Sequence, residues 1–451
     1  MKSRILLQGL TFLLLAAFAS PALCQEAQSL ALGAAIERAL DRNADLAVAQ
    51  ARLIEAQAMR SKVTTAFLPN IQAVGQYTRN SAPASFDLTP LAQGIISFSN
   101  PGVIVPPGTF PPSVIQKENT IGGALTVDET VFSLSPILAR AAASHQVDAQ
   151  ALNLEASRRE IVYQIMQIFY NVAGMDRLIQ VAQRATTLAD QRIANAMQRQ
   201  KQGAEGEVTV LRAQSERDKA EQDLVHAVLA RDQLLMALGA LLDLPAPATL
   251  TAPPQLEMPN GDAAELESTA LQTRPDLQAR RKGVAAGDAQ LSEAQWRWVP
   301  MVTANFTGRY TDTPGFINKN WLWSATANLV IPLFDRGLRY AEADERRATS
   351  RRLGQEVAKA ERDLHAGLAQ TRAEIAVDRH TLEVANSQAQ KAKRTAEIVA
   401  RAFSAGGATS LEVAEADTAL RLAEATVERE HINLDLAVLR LRHLTGNVRP
   451  E

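Results

Sequence analysis

The sequence predicts a mixed fold, part transmembrane β-barrel and part long α-helix, in which one copy supplies too little sheet to close a barrel. Three observations predict it: proline-free helical runs of unusual length, four short stretches with strict alternation of apolar and polar residues, and an internal duplication that carries both patterns twice.

The chain opens with Lys2 and Arg4, continues through an apolar core from Leu10 to Ala19, and reaches Pro21, Ala22, Leu23 and Cys24. Residues 1–24 read as a secretory signal peptide, with Ala22 and Cys24 at the small-residue positions of the cleavage site. The bulky Leu23 before Cys24 argues against a lipid anchor, and cleavage there leaves a mature chain without cysteine. No later stretch approaches about 18 consecutive apolar residues, so the expectation is that any membrane insertion uses strands. Without Lys2 and Arg4 the mature chain has 45 basic and 49 acidic residues, a net charge of −4. That balance gives no sign of nucleic acid binding.

The segment Ala39 to Leu46 recurs as Ala270 to Leu277 at an offset of 231, and Phe67-Leu68-Pro69 falls on Trp298-Val299-Pro300 at the same offset. A second pairing, at 203, sets Gly203 on Gly406, Val208 on Leu411, Val210 on Val413 and Ala213 on Ala416. We therefore divide the chain into a first structural repeat over 25–262 and a second over 263–451, separated by the Pro-rich run from Pro245 to Pro259. Each repeat reads as helix, strand, loop, strand, long helix, turn and helix. The long runs, Ile137 to Gln202 and Leu338 to Ala405, contain no proline. At about 1.5 Å per residue either would span roughly 100 Å. Glycine turns at Gly203 to Gly206 and at Gly406 to Gly407 then lead into Val208 to Leu238 and Leu411 to Leu444, folding each long helix back as a hairpin.

The strands alternate cleanly. Ile71, Ala73, Gly75 and Tyr77 oppose Gln72, Val74, Gln76 and Thr78, and Ile121, Gly123, Leu125 and Val127 oppose Thr120, Ala124, Thr126 and Asp128. Val302, Ala304, Phe306 and Tyr310 form one face of the third, and Trp321, Trp323, Ala325, Ala327, Leu329 and Ile331 one face of the fourth. About ten residues with one apolar face is the length and pattern of an outer-membrane barrel wall. Phe67 and Trp298 at one mouth, with Trp321 and Trp323 at the other, suit interfacial aromatic girdles. Four strands leave open edges that lipid cannot satisfy, and the smallest usual barrels need about eight strands. Two, three or four copies would each meet that need. The loops 80–119 and 312–320 would face outward.

In their order and doubling these features resemble the TolC-like outer membrane efflux family, over nearly the whole mature chain. The resemblance implies a homotrimeric channel-tunnel: each protomer gives four strands to a barrel in outer membrane lipid and a duplicated set of long helices to a periplasmic helical barrel. It implies an outer membrane location with a long periplasmic portion. It also implies a passive exit duct for a tripartite efflux or secretion system, served by a periplasmic adaptor and an inner-membrane pump. In such proteins acidic residues ring the periplasmic entrance. The matching positions here are Glu412 and Glu415, on one helix face at i, i+3 spacing, and Gly203, Gly206, Gly406 and Gly407 fall at the adaptor-contact turns. Where many relatives carry an arginine and a tyrosine that hold the closed state, this chain has Ala408 and Phe403.

No enzyme is expected. The six histidines are scattered, no H-E-x-x-H, P-loop or nucleophile elbow is present, and neither cofactor nor metal is called for. The rival reading is a structural or adhesive coiled-coil protein of the periplasm. The strands separate the two, because a coiled coil has no use for them.

Overall fold

The computed structural model describes residues 29–446 apart from 246, 248, 260, 315, 316 and 318, so the proposed signal peptide and Cys24 lie outside the described residues. The chain divides into two compact units. One comprises Asp45–Ser157 and Ala263–Ala366, and the other Arg158–Asp262 and Gly367–Glu451 with the segment up to Ala44.

The first of these holds the strands: β1 (Asn70–Arg79), β2 (Ala84–Phe86), β3 (Ser113–Gln116), β4 (Asn119–Phe132), β5 (Met301–Thr311) and β6 (Trp321–Val330). Four of them form one antiparallel sheet in the order β1-β4-β5-β6. Its register sets Ile71 opposite Val127, Val127 opposite Phe306 and Phe306 opposite Ala325. Because side chains alternate across a strand, this register gathers the apolar sets of all four strands on one face. Gln72, Thr126, Thr307 and Ser324 share the other. β1 and β6 each pair on one side only, and their side chains are exposed almost throughout.

The loop expected over 80–119 is structured, which corrects the sequence reading. Between the ribbon strands β2 and β3 it carries helix α3 (Thr89–Ser99). The helix starts where the Asp87 carboxylate accepts from the Thr89 amide at 2.9 Å, and Pro90 occupies a first-turn position where no amide hydrogen is needed.

The helices that precede the strands are also divided. α1 (Leu32–Arg42) and α2 (Ala44–Thr64) break at Asn43, and α6 (Ala263–Thr273) and α7 (Pro275–Gln295) break at Arg274. A shift of 231 carries the bounds of α1 onto α6 and of α2 onto α7. The long helices are α4 (Leu134–Lys201) and α8 (Leu338–Ser404), followed by α5 (Glu207–Leu242) and α9 (Ser410–Leu444).

In the second unit the distal stretches of α4 and α8 pack with α5 and α9 around Phe169, Ile165, Leu238, Leu439 and Leu441, which are fully buried. Gly174 lets α4 approach α9 closely, since a Cβ there would collide with the side chain of Ile432. The last carbonyls of α5 are capped from the amino-terminal segment: Asn43 Nδ2 donates to Leu241 at 3.1 Å and Arg38 Nε to Leu242 at 3.1 Å. Asp243 ends the helix at φ 50°.

α5 is long enough to cross a membrane and contains an 18-residue window of mean hydropathy 1.4. Its leucines and alanines raise the mean, although Arg231 and Asp232 interrupt any continuous apolar run. Those charges are engaged inside the unit, Arg231 with Asp232 at 2.8 Å and with Asp176 of α4 at 3.9 Å. Leu235, Leu238 and Leu242 are buried, so α5 packs here as a helix of the bundle.

Candidate channel entrance and membrane wall

The two hairpin turns lie in the same unit. At the α4–α5 turn Gly203 adopts φ +73° and its amide donates to the Gln200 carbonyl at 2.9 Å. Gly206 is the extended residue before α5. At the α8–α9 turn Gly406 adopts φ +79°, and the Gly407 amide donates to Ala402 at 2.8 Å. Both turns reverse the chain through a left-handed residue, a conformation that only glycine adopts without strain.

Glu412 is already occupied. Its carboxylate accepts from the Thr409 amide at 2.7 Å and from the Thr409 hydroxyl at 3.0 Å, while the Glu412 amide donates to that hydroxyl at 3.3 Å. This is a capping box at the start of α9. The backbone bond from Thr409, followed by the hydroxyl bond, holds the Glu412 carboxyl below its ordinary range. Glu415, one turn on, is exposed on the same side and makes no ion pair among the described residues.

Phe403 also has a partner that sequence inspection missed. The Arg199 guanidinium of α4 lies 4.2 Å over its ring, and Arg199 also reaches Glu205 at 3.6 Å. Arg199 is the last of the four arginines that α4 carries after Gly174. Arg192 pairs with Asp417 at 2.9 Å, Arg184 with Glu424 at 3.6 Å and Arg177 with Glu428 at 2.8 Å. Their spacing of seven, eight and seven keeps them on one helix face, and that periodicity is the signal that could have found them. A cavity of about 50 Å³ between the turns is lined by Ala213, Leu411 and Val413, with Glu216 at its edge. Burial, reinforced by Asp417, pushes the Glu216 carboxyl above its ordinary range against the opposing pull of Arg192 and Arg421.

On the sheet, Trp321 meets Tyr310 with ring centres 5.3 Å apart, and Trp323 meets Phe306 at 6.3 Å. Tyr77 lies at this same end of the apolar face, paired with Ile121, and its hydroxyl donates to Asn119 at 2.9 Å. The sequence reading did not single out Tyr77 and Tyr310 as aromatic partners, because each reads equally well as one more member of an alternating strand. At the opposite end Phe67 closes a 3-10 turn before β1, and Trp298 stacks on Trp296 at 5.9 Å. Among the described residues no group of three or more His, Cys, Asp or Glu side chains could hold a metal ion.

The model of the outer membrane efflux protein family matches residues 35–243 and 266–447. The chain belongs to the outer membrane efflux protein family. Solved structures of similar fold include VceC from Vibrio cholerae, with a TM-score of 0.75 at 18% identity over 92% of this chain and 96% of that one. The open state of MtrE from Neisseria gonorrhoeae gives 0.75 at 17% identity, over 93% and 90%. The outer-membrane channel OprN gives 0.74 at 17%, over 92% and 90%. Among curated proteins, CyaE of Bordetella pertussis is 27% identical over 202 residues, 43% of this chain. The chain spans 42% of the length of CyaE in that match. This outer membrane efflux protein has the channel-tunnel fold, with its strands in the outer membrane and its long helices in the periplasm. Its family is one of channels, not enzymes.

Proposed function

We propose that three copies of this outer membrane efflux protein close a twelve-stranded barrel and a periplasmic helical tunnel, and that the assembly is a passive exit duct. The observation that carries this reading is the four-stranded sheet with one apolar face and two unpaired edges, β1 and β6. In lipid those edges are satisfied only by strands of other copies. A periplasmic coiled-coil scaffold would leave the edges and the apolar face unexplained.

In this reading the repeats over 25–262 and 263–451 interleave around one axis. A periplasmic adaptor meets the turns at Gly203, Gly206, Gly406 and Gly407, and an inner-membrane pump supplies the energy. Glu412 and Glu415 of three copies set six carboxylates around the entrance, favouring cations and attracting basic groups. Phe67, Trp298, Trp321 and Trp323 sit at the two membrane interfaces. The protein performs no catalysis, and its cargo is small molecules brought by the pump.

The test is to purify the chain from outer membranes in detergent, compare heated and unheated samples by electrophoresis, and record currents in planar bilayers. Heat-sensitive trimers that conduct are expected. A processed chain that stays monomeric and soluble without detergent would overturn the proposal.

A further inference from the structure

The stretch from Leu88 to Gln116 holds 29 residues without one acidic, basic or histidine side chain. It is nevertheless folded. Gln93 of α3 donates to the Val103 carbonyl at 2.9 Å and accepts from the Val105 amide, and β2 pairs with β3. On the outer side of α3, Leu91, Ile95 and Phe98 follow one another at i, i+4 and i+7, all exposed, with Phe98 93% exposed. Removing such side chains from water is favourable in proportion to the apolar area covered. An ordered stripe of this kind calls for a cover.

Lipid is a poor candidate. Between the apolar face of the sheet and this loop stands a polar collar, with Arg79 on Glu118 at 3.1 Å and Lys117 on Asp312 at 3.7 Å. Tyr77 and Tyr310 lie just below it on the sheet. Aromatic rings followed by charges mark where the acyl layer ends, so the loop's apolar surface begins again beyond the membrane.

A copy of the same loop fits better. At a symmetry axis every side chain meets its own copies, so any charge there faces a like charge. A long run with no charge at all is the composition that homotypic contact tolerates. The loop also springs from β1, the edge strand that meets a neighbouring copy in the three-copy assembly.

We infer that the α3 loops of the three copies pack against one another through Leu91, Ile95 and Phe98, forming an apolar lid across the external mouth of the channel. This inference rests on the three-copy reading above.

The test uses the full chain in outer membranes, with Cys24→Ala to remove the sequence's one cysteine and Phe98→Cys to report contact. Leu91→Cys serves as a second reporter should the first variant fail to assemble. A short bismaleimide should link copies in pairs within unheated trimers, and Phe98→Asp should raise single-channel conductance several-fold. Trimers that form without any linked pair overturn the lid, whether the thiol reacts with a membrane-impermeant maleimide or is shielded by lipid. Absence of trimers in the unsubstituted chain would remove the assembly itself, and the lid with it.

Discussion

Arg192 of α4 donates from Nε to Oδ2 of Asp417 of α9 at 2.9 Å, with the two side chains 24% and 16% exposed. Apolar contacts such as Gly174 against Ile432 hold the same helices nearer their other end. The α4–α9 seam therefore joins packing with a row of ion pairs from Arg177 to Arg192, and salt screens the ion pairs but not the packing. Arg192→Met should destabilise this end by about 1 kcal/mol. A double-mutant cycle with Asp417→Asn, read by thermal unfolding at low and high salt, checks both the coupling and its screening.

Glu216 gives a pH prediction. Its carboxyl is raised by burial and by Asp417, so the folded state holds its proton more tightly than the unfolded state does. The stabilisation linked to that proton is complete below the unfolded value and is lost as pH rises through the raised folded value. Glu216→Gln should therefore raise the melting temperature at pH 7, by on the order of 2 °C, and leave it unchanged at pH 4. Equal shifts at both pH values would reject this account.

The two carboxylates proposed for the entrance should separate experimentally. Glu412 holds a capping box with Thr409 and Glu415 does not. Glu415→Ala is expected to reduce cation selectivity, read as a shifted reversal potential in planar bilayers, with little change in melting. Glu412→Ala should alter both. For Glu412 the depressed carboxyl contributes stability above the unfolded value that is lost as pH falls through the folded value, so Thr409→Ala should flatten the acid limb of the stability profile.

Gly174 should resist enlargement. A methyl group there must displace Ile432, and such overpacking costs about 1–3 kcal/mol, against a helix-propensity gain of up to about 1 kcal/mol. Gly174→Ala is expected to lower the melting temperature, and adding Ile432→Ala should return part of the loss.

Asn43 carries a fifth expectation. It is 6% exposed and bonds the Leu241 carbonyl at the end of α5. Asn43→Leu should cost about 1–3 kcal/mol by leaving that acceptor unpaired, and hydrogen exchange should show fraying confined to the last turn of α5.

The strands were legible because each must satisfy two solvents at once, and that demand writes a period of two directly into Trp321 to Leu329. Their pairing across β1, β4, β5 and β6 then followed the faces already visible in the sequence. Helix α3 was hidden by the prolines of the surrounding loop and by Pro90, which occupies the first helical turn, where proline is welcome. The break at Arg274 is written in the sequence by Pro275, which keeps the residue before it extended and opens the next helix. The break at Asn43 has no such marker, because Asn43 takes its place through a carbonyl almost 200 positions away. The spacing of Arg199 marks its helix face, but its pairing with Phe403 was out of reach, since a contact between two hairpins leaves no local pattern.

The two unpaired edges of the sheet also have a genetic consequence. If every wall is shared among copies, a defective subunit does not merely fail by itself; it occupies a position that sound subunits cannot fill. A minority of copies damaged along β1 or β6 would then disable a larger share of the ducts, and such alleles should behave as dominant in cells that also make the intact chain.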